Sequence, residues 1–332
     1  MAEETMQGAS AGPSAPSTPD GATTTAGPVR DRGARRRIAA GEYAAEVSEV
    51  GATLESLTVG GRDLLLRSPD DGPMLFYRGA VVAPWPNRIG DGRYSWDGRD
   101  LQVPITEVER GNALHGLLSF QAYEVAEQSA EAVTLRTVLY PTTGYPFALE
   151  MRVEHRLDAE DGLTTTVTAR NVGSAEAPYG VCPHPYLLAG PEDLDEWTLS
   201  CPAATVLEVT PDRLLPVGTR EVEAGSDLDL RLPRPIAGRF LDHAFTDLAA
   251  GADGRWRVTA TAPGGTGVEI SADSTCPWVQ VHTGDRPEPE NDRKGLAVEP
   301  MTCPPDAFRS GEDLVRLSPG AEHTASWSIR GW

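Results

Sequence analysis

Glycine and proline interrupt this chain so often that long helices have nowhere to form. There are 34 glycines and 28 prolines in 332 residues, and no long window between them keeps apolar side chains at helical spacing. What lies between the interruptions is alternation. Tyr94-Ser95-Trp96 runs into Asp97-Gly98 and out through Leu101-Gln102-Val103. An Asp-Gly pair flanked this way predicts a hairpin, because both central residues tolerate positive φ. Gly60-Gly61 separates Leu54, Leu57 and Val59 from Leu64-Leu65-Leu66 in the same manner. Leu163, Thr165, Val167 and Ala169 share one face of a predicted strand, as do Trp256, Val258 and Ala260, and then Ala325, Trp327 and Ile329. Many short strands with frequent turns predict an all-β fold, an antiparallel sandwich or a barrel. No fixed-period repeat is visible, which disfavours a propeller.

This patterning begins near Ile38, so the folded domain is expected to span residues 37–332. The first 36 residues stand apart. Met1 to Val29 is rich in Ala, Gly, Ser, Thr and Pro with almost no large apolar side chain, and such a segment cannot offset its ordering entropy, so residues 1–36 are expected to be disordered. The segment lacks the apolar stretch of a secretory signal. The basic cluster Arg30, Arg32, Arg35, Arg36 and Arg37 reads as a solvated junction into the domain.

Charge and cysteine content narrow the function classes. With 49 acidic and 29 basic side chains the formal charge is -20, a field that repels phosphate backbones and disfavours nucleic-acid partners. No apolar run approaches a membrane span. Cys182, Cys201, Cys276 and Cys303 form no C-x-x-C pair, so free thiols in a reducing, cytoplasmic compartment are expected. The six histidines show no metal-binding spacing, and no metal or cofactor is expected.

A few side chains have settings that suggest chemistry. His184 lies in Cys182-Pro183-His184-Pro185-Tyr186. The flanking prolines remove two backbone donors and keep His184 extended, so a stiff loop or strand edge should present one imidazole. A hydrogen-bonded structural histidine is the alternative. A thiol nucleophile at Cys182 with His184 as its base is disfavoured, since they are two residues apart across a proline. Glu299 ends the apolar run Gly295-Leu296-Ala297-Val298 before Pro300. Burial there would raise its pKa and suit it to base catalysis, unless it points to solvent or pairs with an arginine. His115 precedes Gly116 in Asn112-Ala113-Leu114-His115-Gly116, where the glycine allows close approach. Asn87 and Arg88 follow the proline-stiffened Pro84-Trp85-Pro86, and the arginine offers a planar fork of donors. Asp242, in Phe240-Leu241-Asp242-His243, is either a hydroxyl acceptor or a turn former.

In this order these segments resemble the aldose 1-epimerase (galactose mutarotase) family. The resemblance runs from about Ile38 onward through Asn87-Arg88-Ile89-Gly90 with Gly92 and Tyr94, Asn112-Ala113-Leu114-His115-Gly116, His184-Pro185-Tyr186, Leu241-Asp242-His243 and Val298-Glu299-Pro300. It implies a large antiparallel β-sandwich, monomeric or homodimeric, holding a free aldohexose such as galactose or glucose in a cleft. It also implies cofactor-free ring opening, with Glu299 as general base, His184 as general acid and His115 assisting, while Arg88, Asn87 and Asp242 bind hydroxyls. Two positions depart from the family pattern: His282 stands where tyrosine is often found, and Arg309 where asparagine is. Both are expected near the sugar. The alternatives are a hexose-6-phosphate 1-epimerase, which needs a cationic phosphate subsite, and a non-catalytic carbohydrate-binding protein on the same fold.

Overall fold

Two long alternating segments, Leu149–Asp158 and Gly162–Asn171, form a hairpin inside the larger sheet. In this computed structural model, which describes residues 30–332, that sheet has nine strands. In spatial order they are Glu124–Gln128, Ala132–Leu139, Leu149–Asp158, Gly162–Asn171, Glu322–Gly331, Gly267–Ala272, Trp256–Thr261, Thr198–Ser200 and Arg234–Pro235. Every neighbouring pair is antiparallel. Alternation decides which face is buried. Leu149, Met151 and Val153 point inward, while the residues between them are only partly covered.

A second sheet of six antiparallel strands carries the chemistry. Its order is Tyr186–Leu187, Leu296–Met301, Trp278–His282, Asp242–Leu248, Ala203–Val209 and Pro216–Glu221. Val279, Val281, Leu296 and Val298 face the nine-stranded sheet and share one core with Val258, Val268, Ile270, Ala325 and Trp327. Each such buried side chain contributes about 1.5–3 kcal/mol. The fold is therefore an all-β sandwich. Trp278 and Met301 lie on the opposite face and join a second cluster with Met74, Val82, Cys182 and Ala244. The strand Leu296–Met301 is consequently buried on both sides, which is why it reads as an apolar run interrupted only by Glu299.

The expected turns are present. Asp97 and Gly98 both have positive φ, 51° and 72°, and join Arg93–Trp96 to Arg99–Gln102. Helix among the described residues is limited to Ala307–Ser310 and two short 3-10 turns, Val108–Arg110 and Leu194–Glu196. None is long and apolar enough to cross a membrane.

The amino-terminal boundary lies earlier than composition suggests. Residues 1–29, most of the segment expected to be disordered, lie outside the described residues. The basic cluster is a solvated junction only in part: Arg30 and Arg37 are exposed, while Arg32 is drawn into the fold. Arg35–Ala40 forms a strand of a four-stranded sheet, with Arg36 paired to Glu49 and Arg37 to Glu46. Arg32 is 6% exposed, and its Nε lies 3.2 Å from Oε1 of Glu55. Burial pushes Glu55 above its ordinary pKa, and Arg32 opposes that. Replacing Arg32 by Met should strand a buried carboxylate and cost about 3 kcal/mol or more, read as a lower urea midpoint. Adding Glu55→Gln should recover most of the loss, and a stability unchanged by the single substitution would show the pair to be dispensable.

Candidate active site

The antiparallel register of the six-stranded sheet collects the polar residues on one face. Glu299 stands directly opposite Gln280, and His282 opposite Asp242. Opposed residues in a ladder point to the same side, so these four side chains form one patch over an otherwise apolar sheet. Glu299 is 2% exposed. Its Oε1 is 3.4 Å from Nε2 of His184, and its Oε2 is 3.9 Å from the Cys182 thiol. Burial raises the Glu299 carboxyl well above its ordinary pKa; Asp242 adds to the rise and Arg88 opposes it. Cys182 is itself pushed up by burial and by Glu299, so it stays a neutral thiol with no nucleophilic character.

His184 is held as its prolines demand. Cys182–Pro183 pairs briefly with Val81–Val82, after which the His184 amide donates to Ala80 at 3.0 Å and its carbonyl accepts from Gly79 at 2.9 Å. The ring stacks on Tyr186 at 5.3 Å and meets His115 edge-on at 4.9 Å. Burial and the neighbouring His282 push His184 down to about 3, so its ring is neutral at pH 7. Burial thus favours the protonated form of Glu299 and the neutral form of His184. That is an acid and a base in contact.

His115 depends on unusual backbone. It has φ 59°, followed by Gly116 at φ 68°, and a Cβ on Gly116 would lie 2.1 Å from the Ala83 carbonyl oxygen. Only glycine fits that approach. The His115 amide donates to the Asn87 carbonyl at 2.8 Å, which fixes the turn, and Tyr77 packs on the ring at 4.6 Å. Burial and His184 push His115 well below its ordinary pKa. The Nδ1 atoms of His115 and His184 are both buried without a partner. Such groups are costly unless a ligand or water satisfies them.

Asn87, Arg88 and Asp242 complete the cleft. Arg88 forks onto Glu107 through Nε at 2.8 Å and Nη2 at 2.9 Å, and Nη1 reaches Asn87 Oδ1 at 3.3 Å. Burial pushes Glu107 up, but Arg88 and the Asn112 amide outweigh it and hold the carboxyl below its usual range. Asp242 accepts from Gln280 at 2.7 Å. The structure thus brings together all six residues singled out from sequence. They line a cleft of about 520 Å³, within the range of small-molecule sites. His282 lines it too. Arg309 does not: its guanidinium reaches Asp306 and borders a separate cleft with Arg93 and Gln102. No group of three or more His, Cys, Asp or Glu side chains is arranged to hold a metal ion among the described residues.

Phe76, Tyr77, Glu107, Gln280 and Arg286 also line the cleft and went unread in the sequence. Gln280 could have been found, since it stands two residues before His282 on a strand and so shares its face. Phe76-Tyr77 was visible as an aromatic pair outside any alternating run. Glu107 carried no local signal.

Comparison with known proteins agrees with this geometry. The family model for aldose 1-epimerase matches residues 36–330. The uncharacterized protein YihR of Escherichia coli strain K12 is 38% identical over 295 residues, covering 89% of this chain and 92% of that protein. The aldose 1-epimerase of the same strain is 25% identical over 289 residues, covering 73% and 79%. Among solved structures, a GalM/aldose epimerase homologue from C. elegans superposes with a TM-score of 0.79 at 19% identity, covering 90% of this chain and 98% of that one.

The burial of His184 has a direct consequence. A lowered pKa means the neutral ring persists as pH falls, so its imidazole nitrogen shifts should remain those of the neutral form from pH 7 to below 5. Protonation centred near 6.5, the free imidazole value, would contradict the dry environment described.

Proposed function

The chain belongs to the aldose 1-epimerase family, and from that premise we propose that it interconverts the α and β anomers of a free aldohexose. The contact between His184 and Glu299 at the base of a hydroxyl-binding cleft carries this reading. The reactive arrangement is a carboxylate beside an imidazolium, one proton transfer across 3.4 Å from the neutral pair. Glu299 takes the proton from the anomeric hydroxyl. The C1–O5 bond breaks as the C1 carbonyl forms, and O5 receives the proton from His184. The sugar is now the open aldehyde, Glu299 holds a proton and His184 is neutral. Rotation about C1–C2 presents the other carbonyl face, and the same transfers in reverse close the ring as the other anomer. The pair ends as it began.

The remaining residues position the sugar. His115 lies against His184 and assists at the ring or anomeric oxygen. Arg88, held in place by Glu107, offers Nη1 together with the Asn87 amide to hydroxyls, and Asp242 accepts from others. Holding a reactant in one geometry is worth much of the barrier in a reaction that already proceeds in water.

One observation favours the phosphorylated alternative. Arg286 rests over the Phe76 ring at 4.5 Å and donates to the Tyr186 hydroxyl at 3.2 Å, without a carboxylate partner among the described residues. A substrate panel should therefore include glucose 6-phosphate beside free galactose and glucose.

The test is anomer exchange, followed by NMR or polarimetry from fresh α-anomers. Glu299→Gln keeps the shape and removes the base, so turnover should fall about 10²–10⁴-fold while sugar binding is largely kept. Turnover near that of the wild type would sink the assignment of Glu299. Exchange of glucose 6-phosphate but of no free hexose would select the phosphorylated reading.

A further inference from the structure

His282 lines the cleft but takes no part in the proton transfers. Its Nδ1 lies 3.2 Å from the Leu241 carbonyl oxygen. A carbonyl only accepts, so in the neutral ring the proton sits on Nδ1 and Nε2 is left as an acceptor. The side chain is 11% exposed, and Nε2 is the one polar atom it has left to offer the cleft. Asp242 Oδ1 lies 3.9 Å from Nδ1 and is itself occupied by the Gln280 amide, so the Nδ1 edge of the ring is committed.

Position in the sheet says what Nε2 can meet. Gln280 is opposite Glu299, and His282 is two residues further along the same strand. His282 is therefore a diagonal neighbour of Glu299, with backbones about 7–8 Å apart. A pyranose with its anomeric centre at Glu299 brings toward His282 a hydroxyl from the far side of its ring. We propose that His282 is a specificity-determining residue, accepting through Nε2 a hydrogen bond from a sugar hydroxyl remote from the anomeric carbon. The inference rests on the sugar-anomerisation reading of the cleft.

Two substitutions separate the ring's two nitrogens. In His282→Asn the amide nitrogen stands near Nδ1 and can keep the Leu241 contact, but nothing replaces Nε2. In His282→Gln the terminal amide reaches the Nε2 position and can supply an acceptor there. Calorimetric binding and anomer exchange are measured together for galactose, glucose and their 3-, 4- and 6-deoxy analogues. Wild type should bind one remote deoxy analogue roughly 3- to 10-fold more weakly than its parent, the loss of one hydrogen bond. His282→Asn should bind the parent more weakly by a similar factor and no longer distinguish it from that analogue, with kcat nearly unchanged. His282→Gln should keep most of the discrimination.

Discrimination by His282→Asn equal to that of wild type overturns the proposal, as does a loss confined to kcat. Sugars that bind without faster exchange overturn the anomerisation reading, while the binding arm still judges His282. Faster exchange with unaltered discrimination in His282→Asn overturns the role of His282 alone. Failure of every sugar to bind overturns both.

Discussion

A carboxyl group buried on a strand that is dry on both faces is the constraint from which the rest of the site follows. Leu296 and Val298 lock one face of that strand into the sandwich core, and Met301 locks the other into the smaller cluster with Trp278 and Cys182. Glu299 stands in the second row, and an ionised carboxylate there without a partner would be expensive. The sheet supplies two remedies. It raises the pKa, which favours the uncharged acid, and it sets an imidazole 3.4 Å away. A group fixed this firmly by packing cannot drift from its working position, which is what a proton-transfer site requires.

The opposite wall is fixed by hydrogen bonding and backbone conformation. His115, Asn87, Phe76 and Tyr77 all have positive φ, a conformation that non-glycine residues adopt at a cost of about 1–3 kcal/mol each. It persists because neighbours over-determine it. The Asn87 carbonyl accepts from the His115 amide, and Arg88–Gly90 pairs with Asn112–Leu114. Glu107 binds both Arg88 and Asn112, tying those two strands together through their side chains. The Arg88 guanidinium is thereby stripped of two of its directions and left with one, beside Asn87.

The sandwich was legible because alternation and turn chemistry are local. Asp97-Gly98 announces its hairpin whatever surrounds it, and Ala325, Trp327 and Ile329 announce which face of their strand is inward. His184 and Glu299 were legible for a related reason, since proline stiffness and an acid at the end of an apolar run are both readable nearby. Their proximity was not readable. It depends on the register of Leu296–Met301 against its neighbours and on the pairing of Cys182–Pro183 with Val81–Val82, both set by tertiary packing. Glu107 was silent because its value lies in its partners Arg88, 19 residues earlier, and Asn112, 5 residues later. The basic cluster misled because composition assigns Arg32 to solvent, while Glu55, buried and needing a counter-charge, draws it inward.

Burial lowers His184 and raises Glu299 by the same mechanism, and both shifts favour the neutral pair over the ionic one. Moving the proton from carboxyl to imidazole changes the pair from neutral to ionic but leaves its net charge at zero. The ionic form bears the desolvation of both groups, yet its charges attract at 3.4 Å in a medium where that attraction is strong. That attraction makes the ionic form less costly than two isolated buried charges would be. The proposed anomerisation uses both forms, because substrate and product would be the same sugar and the two groups would exchange roles between opening and closure. The ionic form pairs a strong base with a strong acid and suits ring opening, and the neutral form is the one from which closure starts. One pair thus serves both halves, and the burial of Glu299 sets which form it rests in.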